Sequence, residues 1–168
     1  MNGLAQRQRA RCGAYTLSWR EAGQGRPVVL LHGISSGSAS WIKQFNDNGL
    51  TDGHRLLAWD APGYGGSLPL ADPQADAAGY AAALAALIDE LQLVQPLIVG
   101  HSLGALIGSA YAAGYPDGLC GLVLGGSGAG LCHGAGGKTP AGVRPAPADD
   151  RDAGAGGLRR AAGGGLAA

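Results

Sequence analysis

One pentapeptide, Gly100-His101-Ser102-Leu103-Gly104, constrains this sequence more than any other feature. The apolar residues 97–99 before it predict a buried strand, and the apolar residues after it recur at helical spacing. A strand that becomes a helix within one or two residues strains its central residue and leaves no room for side chains two positions before and after it. Gly100 and Gly104 meet that requirement. We therefore expect Ser102 to project its hydroxyl from a tight strand-to-helix turn.

A second segment is expected to face the same point. Residues 28–31 form a continuous apolar run, as a strand buried on both faces should, and Gly33 lets the chain turn after it. The N–H of Ile34 and the N–H of Leu103, at the start of the helix, can then point at one oxygen as negative charge develops on it. His32 lies inside this turn, which favours a structural role over a catalytic one.

Short β-type runs alternate with helix-period segments from residue 15 to about residue 130. This alternation predicts an α/β fold with a mainly parallel sheet and helices on both faces. The predicted strands are residues 15–20, 28–31, 56–59, 97–99 and 119–124. The predicted helices are residues 38–45, 80–91 and 103–114.

Composition divides the chain near residue 131. Glycine accounts for 32 of the 168 residues. Residues 132–168 are more than half Gly and Ala and follow neither the helix nor the strand period. Such a segment buries too little apolar surface to offset the backbone entropy that ordering costs. We predict one incomplete α/β domain over residues 1–131 and a low-complexity, disordered tail over residues 132–168.

Charge and cysteine content argue against several classes of protein. Twelve Lys and Arg balance twelve Asp and Glu, so neither a nucleic acid nor a membrane is an expected partner. Three widely spaced cysteines predict neither disulfides nor a metal site, and no residues indicate a cofactor. With no secretory signal, a cytoplasmic location is expected, and the oligomeric state is unknown. Arg7, Arg9 and Arg11 are expected in a disordered, solvated start.

Three blocks of sequence together carry a family resemblance. They are residues 31–37 (LHGISSG), 60–67 (DAPGYGGS) and 100–105 (GHSLGA). In this order and spacing they resemble the α/β-hydrolase family, especially its lipase- and esterase-like single-domain members, over about residues 15–126. The resemblance implies a serine hydrolase that carries out acyl transfer on an ester, lactone or related small substrate.

The resemblance also implies roles for individual residues. Ser102 would be the nucleophile, with the N–H groups of Ile34 and Leu103 as oxyanion donors. Gly33, Gly100 and Gly104 would allow the two turns that bring these groups together. The turn after the central strand would be shaped by four residues, of which the first is expected to be structural rather than catalytic: Asp60, Pro62, Gly63 and Gly65.

The sequence does not identify the base and acid that a serine nucleophile needs. In the family the acid and then the His follow the serine. After Ser102 the one histidine is His133, at the start of the Gly/Ala-rich tail, and of the later acids only Asp117 precedes it. His54 is predicted to be solvated surface, and His101 to point away from the serine hydroxyl. The triad acid and the triad His therefore stay unassigned.

The tail suggests why these residues are missing. Its Gly, Ala, Arg and Pro bias begins where the next family segment is expected, so we hypothesise a truncated or frameshifted hydrolase. Two functions stay open. One, by family, is a serine hydrolase that acts through Ser102, although without its base and acid this chain as given is expected to be inactive. The other is a catalytically inactive truncated fragment or a non-enzymatic interaction module.

Overall fold

The computed structural model describes residues 5–126, and a six-stranded sheet forms their centre. The strands are β1 (Arg7–Cys12), β2 (Tyr15–Ala22), β3 (Arg26–Leu31), β4 (His54–Asp60), β5 (Leu97–His101) and β6 (Gly121–Gly125). Their order across the sheet is β1-β2-β4-β3-β5-β6. Strands β3 to β6 run parallel to one another, while β1 and β2 form an antiparallel hairpin and β2 also pairs antiparallel with β4. The predicted α/β class and mainly parallel sheet are confirmed.

Helices cover both faces of the sheet. A 3-10 turn (Ser38–Trp41) leads into the short helices α1 (Ile42–Phe45) and α2 (Asn48–Thr51), and two longer helices follow, α3 (Ala77–Glu90) and α4 (Leu103–Gly114). One core cluster joins α3 and α4 to the sheet face that carries Val29, Leu57 and Ile98. A smaller cluster joins Phe45 of α1 to the opposite face.

Helix α3 shows how local sequence sets these elements. Asp76 caps its amino end, because the carboxylate accepts hydrogen bonds from the N–H groups of Ala78 and Gly79 at 3.0 and 3.2 Å. Leu84 and Leu87 then fall on the face that meets the sheet, and both are fully buried.

Strand β1 corrects an expectation. The prediction that Arg7, Arg9 and Arg11 lie in a disordered start is wrong, because they alternate with inward residues of a strand paired to β2. Cys12 at the end of that strand is fully buried in the larger core cluster. The period of two was hidden because only Ala10 and Cys12 mark the apolar face.

Other boundaries differ by a few residues. The predicted helix over residues 38–45 begins as a 3-10 turn, α2 was not predicted, and the last strand begins at Gly121 rather than residue 119. The predicted tail over residues 132–168 lies outside the described residues. Across residues 5–126, no helix is long and apolar enough to cross a lipid bilayer.

We expect the α3 contact with the sheet to contribute strongly to stability. Leu87→Ala removes a fully buried side chain and should lower the free energy of unfolding by about 2–5 kcal/mol. Leu106→Ala, on α4, removes the same atoms from a side chain that is 47% exposed. It should change the free energy of unfolding by less than about 0.5 kcal/mol. Urea unfolding of both variants tests this, and equal losses would contradict the packing described.

Candidate active site

The turn between β5 and α4 holds Ser102 in a strained backbone conformation. Its φ is 53° and its ψ is −112°, although it carries a side chain. Positive φ in a residue other than glycine is uncommon and costs about 1–3 kcal/mol, which the surrounding packing must offset. The carbonyl of Gly125 in β6 accepts a hydrogen bond from the Ser102 N–H at 2.8 Å. Ser102 is half-buried and lies between a strand and a helix, as the sequence predicts.

The two glycines that flank this turn are there because the backbones come too close for side chains. A Cβ on Gly100 would lie 2.6 Å from the carbonyl carbon of Gly104. A Cβ on Gly104 would lie 2.6 Å from the carbonyl carbon of Leu31 in β3. Real Cβ atoms essentially never approach other atoms within 3.0 Å. Helix α4 therefore lies directly against β3 and β5 at its first turn.

The loop after β3 lies beside Ser102. A Cβ built on Gly33 would lie 3.4 Å from the Cβ of Ser102, so the backbone of this loop passes close to the serine side chain. Within residues 5–126, no acceptor binds the N–H of Ile34. Leu103 is the first residue of α4, and the N–H groups of a first helical turn have no partner inside the helix. Among the described residues, two backbone N–H groups without an acceptor therefore lie near the serine.

His32 is buried beneath this loop and engaged at both ring nitrogens. Its Nε2 accepts a hydrogen bond from the N–H of Ala61 at 3.0 Å, and its Nδ1 lies 2.8 Å from the carbonyl oxygen of Gly33. Because Nε2 accepts a hydrogen bond, the ring proton is assigned to Nδ1, and the ring is neutral. Burial lowers the pKa of His32 below its ordinary value, and the Gly33 carbonyl and Asp60 offset only part of that effect.

Asp60 cross-links four segments around the site. Its carboxylate accepts hydrogen bonds from the hydroxyl of Ser18 in β2 at 2.6 Å and from the N–H of Ser38 at 2.8 Å. The N–H of Gly66 lies 3.4 Å from it, and the Arg7 guanidinium 3.2 Å. Burial raises the pKa of Asp60, but these hydrogen bonds outweigh burial and hold the pKa below its ordinary value. The side chain is fully buried.

The turn after β4 closes over that carboxylate. Gly63 and Gly65 have φ values of 83° and 53°. A Cβ on Gly65 would lie 2.6 Å from an oxygen of Asp60, so only glycine fits there. Pro62 is fully buried, and the Ser67 hydroxyl donates to the Asp60 carbonyl oxygen at 2.6 Å. These contacts shape the turn, and none of its hydrogen bonds among the described residues involves Ser102.

No histidine of the described residues reaches the Ser102 hydroxyl. Both ring nitrogens of His32 are already in hydrogen bonds. His54 is the first residue of β4 and lies at the amino ends of the parallel strands, roughly 20 Å from the serine turn at about 3.3 Å per residue. The exposed His101 lies against Gly33 and makes no hydrogen bond to Ser102. Asp117 precedes β6, also at the amino ends of the parallel strands, and His133 lies outside the described residues.

Sequence reasoning missed the partners that fix this site. Ser18 and Arg7 meet Asp60 from 42 and 53 residues away in the chain, and nothing near them in the sequence signals these contacts. Ser67 ends the 60–67 block, but its hydrogen bond to the Asp60 carbonyl was not predicted. The one available signal was the glycine at position 65, whose lack of a side chain makes room for the carboxylate.

An open cleft of about 530 Å³ adjoins the serine turn, and its lining includes Ile34, Trp41, Lys43 and His101. A larger cleft of about 690 Å³ lies beside Tyr15 and Leu70 and does not include the Ser102 turn. Across residues 5–126, no cluster of three or more His, Cys, Asp or Glu side chains could hold a metal ion.

Comparison with known proteins decides the family. The sequence profile of the α/β-hydrolase fold matches residues 26–150. The chain belongs to the α/β-hydrolase family. A hydrolase of 2-hydroxy-6-oxo-6-phenylhexa-2,4-dienoate from Comamonas testosteroni is 29% identical over 116 residues, which are 68% of this chain and 41% of that protein.

Solved structures of other hydrolases superpose on the same part of the chain. The N-acyl homoserine lactonase AidH is 30% identical with a TM-score of 0.66, over 72% of this chain and 45% of that one. An epoxide hydrolase from Vigna radiata is 26% identical with a TM-score of 0.65, over 71% and 39% of the two chains. This α/β-hydrolase chain therefore spans less than half the length of these relatives, whose named substrates differ from one another.

The close approach of α4 to the sheet gives a prediction with a control in the same helix. Gly104→Ala forces a Cβ into Leu31 and should destabilise the fold by more than about 2 kcal/mol. Gly114→Ala, at the far end of α4, meets nothing within 4 Å and should be neutral or stabilise by up to about 1 kcal/mol. Denaturant unfolding compares the two, and a Gly104→Ala variant as stable as wild type would contradict the geometry.

The low pKa values predict two steps of acid destabilisation. Unfolding lets His32 bind a proton at its ordinary pKa near 6.5, which the folded state resists, so stability should fall as pH drops below about 6.5. Asp60 adds a second loss below its ordinary pKa of 3.8, as pH falls through its lower folded value. His32→Asn should remove the first step and His54→Asn should keep it, as followed by urea unfolding between pH 8 and 3. An unchanged slope in His32→Asn would contradict this assignment.

Proposed function

We propose that this chain carries the nucleophile and oxyanion donors of a serine hydrolase that acts by acyl transfer on an ester, lactone or related small substrate. The strained backbone of Ser102, with φ at 53° between a strand and a helix, is the observation that carries the proposal. Such a turn presents a hydroxyl above the sheet at the amino end of a helix. The lactonase and dienoate hydrolase among the relatives support small carbonyl substrates.

In the proposed reaction the Ser102 oxygen attacks the substrate carbonyl carbon while its proton passes to a base. The carbonyl oxygen becomes an oxyanion and takes hydrogen bonds from the N–H groups of Ile34 and Leu103, and the positive end of the α4 dipole adds to its stabilisation. Collapse of this intermediate expels the leaving group with a proton and leaves an acyl-serine. Water then releases the acid and restores the hydroxyl.

The proposal assigns structural roles to the remaining site residues. Asp60, Pro62, Gly63 and Gly65 hold the turn after β4, since the carboxylate is fully buried and occupied by other donors. Because the described residues provide no base beside Ser102, the reaction needs a base and a carboxylate from outside residues 5–126.

The lack of a base beside Ser102 among residues 5–126 also favours a second candidate function. If no base reaches Ser102, the chain is an inactive member of the family or an interaction module. Removing the base or the serine from a triad costs about 10⁶ in turnover, so the two candidates differ by a large factor.

Covalent labelling distinguishes the two candidates. A fluorophosphonate probe loses fluoride to an activated serine and leaves a phosphonyl ester on its oxygen. We expect one label, on Ser102, that is lost in Ser102→Ala and kept in Ser109→Ala. Ser109 is an exposed serine on α4 whose hydroxyl donates to the Ala105 carbonyl at 2.8 Å, so it is a matched control.

Labelling should be accompanied by hydrolysis of p-nitrophenyl esters or simple lactones that falls at least about 10³-fold in Ser102→Ala. A folded protein that takes no label at Ser102 would refute the hydrolase proposal and support the inactive candidate.

A further inference from the structure

We propose that His32 is a positioning residue that aims the N–H of Ile34 at the reacting oxygen. This inference rests on the proposed function, because it concerns the oxyanion donor of the same site. Four observations carry it: both ring contacts of His32, the trans peptide after Gly33, an Ile34 N–H with no acceptor among residues 5–126, and the closeness of this loop to Ser102.

The orientation follows from the geometry of one peptide bond. The carbonyl of Gly33 and the N–H of Ile34 belong to the same planar peptide unit, and none of the described peptide bonds is cis. In a trans unit the C=O and N–H point in opposite directions. Because the Gly33 carbonyl points inward to the Nδ1 of His32 at 2.8 Å, the Ile34 N–H must point away from that buried ring.

The hydrogen bond at the second ring nitrogen, Nε2, determines that Nδ1 carries the ring proton. Neutral imidazole has one donor and one acceptor nitrogen. The Ala61 N–H occupies Nε2 as an acceptor at 3.0 Å, which leaves Nδ1 as the donor to Gly33. The opposite tautomer would set a lone pair against the Gly33 carbonyl and an N–H against the Ala61 N–H. A backbone donor 29 residues away thus determines which way the loop peptide faces.

The ring itself is held in place from the side. Tyr64 packs against it edge-on, with ring centroids 4.9 Å apart, and only 1% of His32 is exposed. The residue that follows the aimed peptide, Ser35, has a positive φ of 57°, so the loop is strained just beyond Ile34. A loop under strain would relax to another peptide orientation without such a restraint.

Two substitutions at this position separate aiming from simple packing. His32→Asn places a side-chain N–H near the position of Nδ1, where it can still donate to the Gly33 carbonyl, but it has no acceptor for the Ala61 N–H. His32→Phe keeps the ring and loses both hydrogen bonds. Both leave the buried Ala61 N–H unpaired and should lower the free energy of unfolding, and His32→Phe, which also leaves the Gly33 carbonyl without its donor, should lower it at least as much in urea unfolding.

The orientation of the Ile34 N–H is measured without any reaction, from its residual dipolar coupling in a weakly aligned sample. We expect the coupling to change in His32→Phe and to stay near the wild-type value in His32→Asn, with the Leu103 N–H unchanged in both. In wild type, ¹⁵N shifts should report the Nδ1–H tautomer. Should His32→Phe not fold, His32→Gln replaces it, since its amide lies beyond the Nδ1 position.

Labelling of Ser102 by the fluorophosphonate gives the functional consequence. Loss of one aimed donor should slow labelling by about 10²-fold in His32→Phe, with His32→Asn within a few-fold of wild type. Equal couplings in all three proteins, or equal slowing in both variants, would overturn the inference. A coupling that changes as expected in a protein whose Ser102 is never labelled would retain the aiming role and refute the proposed hydrolase instead.

Discussion

The close backbone contact between α4 and the sheet is the constraint on which the rest of the structure depends. Gly104 lies so near the Leu31 carbonyl, and Gly100 so near Gly104, that no side chain fits at either position. Bringing a helix this close to its preceding strand leaves one residue to absorb the reversal. That residue is Ser102, and its positive φ is the local consequence of a packing requirement.

Two buried polar side chains tie the neighbouring loops to the rest of the domain. Asp60 joins β2, the 3-10 turn and the turn after β4 through one carboxylate, and His32 joins the loop after β3 to Ala61. The folded protein lowers the pKa values of both groups, which favours the neutral ring of His32 and the ionised carboxylate of Asp60. Backbone donors that are held in place need no reorganisation when charge develops in front of them, which is the advantage these cross-links would give the proposed hydrolase.

Much of this architecture could be predicted because local patterns determine it. The buried runs that became β3 and β5 and the helical period of α3 were sufficient for the fold class, and the Gly100–Gly104 spacing was sufficient for the turn. Strand β1 was missed because its outward face is arginine, a residue also common in solvated termini. The contact of Arg7 with Asp60 spans 53 residues, so neither sequence neighbourhood reveals the other.

The base and acid could not be predicted for a different reason. A triad is defined by distances between residues that are far apart in sequence, and the described histidines are engaged elsewhere or make no bond to the serine. Family membership gives the order in which the serine, the acid and the histidine are expected along the chain, but it does not identify the acid and the histidine in this sequence. The direction of the Ile34 N–H was likewise inaccessible, since it depends on a ring tautomer set by Ala61.

The most direct test of this account is a crystal structure of the protein after reaction with a fluorophosphonate. The adduct carries a phosphoryl oxygen where an oxyanion would form. We predict continuous density from Ser102 to phosphorus, a positive φ at that residue, and the phosphoryl oxygen within about 3 Å of both the Ile34 and Leu103 nitrogens. An adduct whose phosphoryl oxygen faces solvent, or a Ser102 relaxed to negative φ, would contradict it.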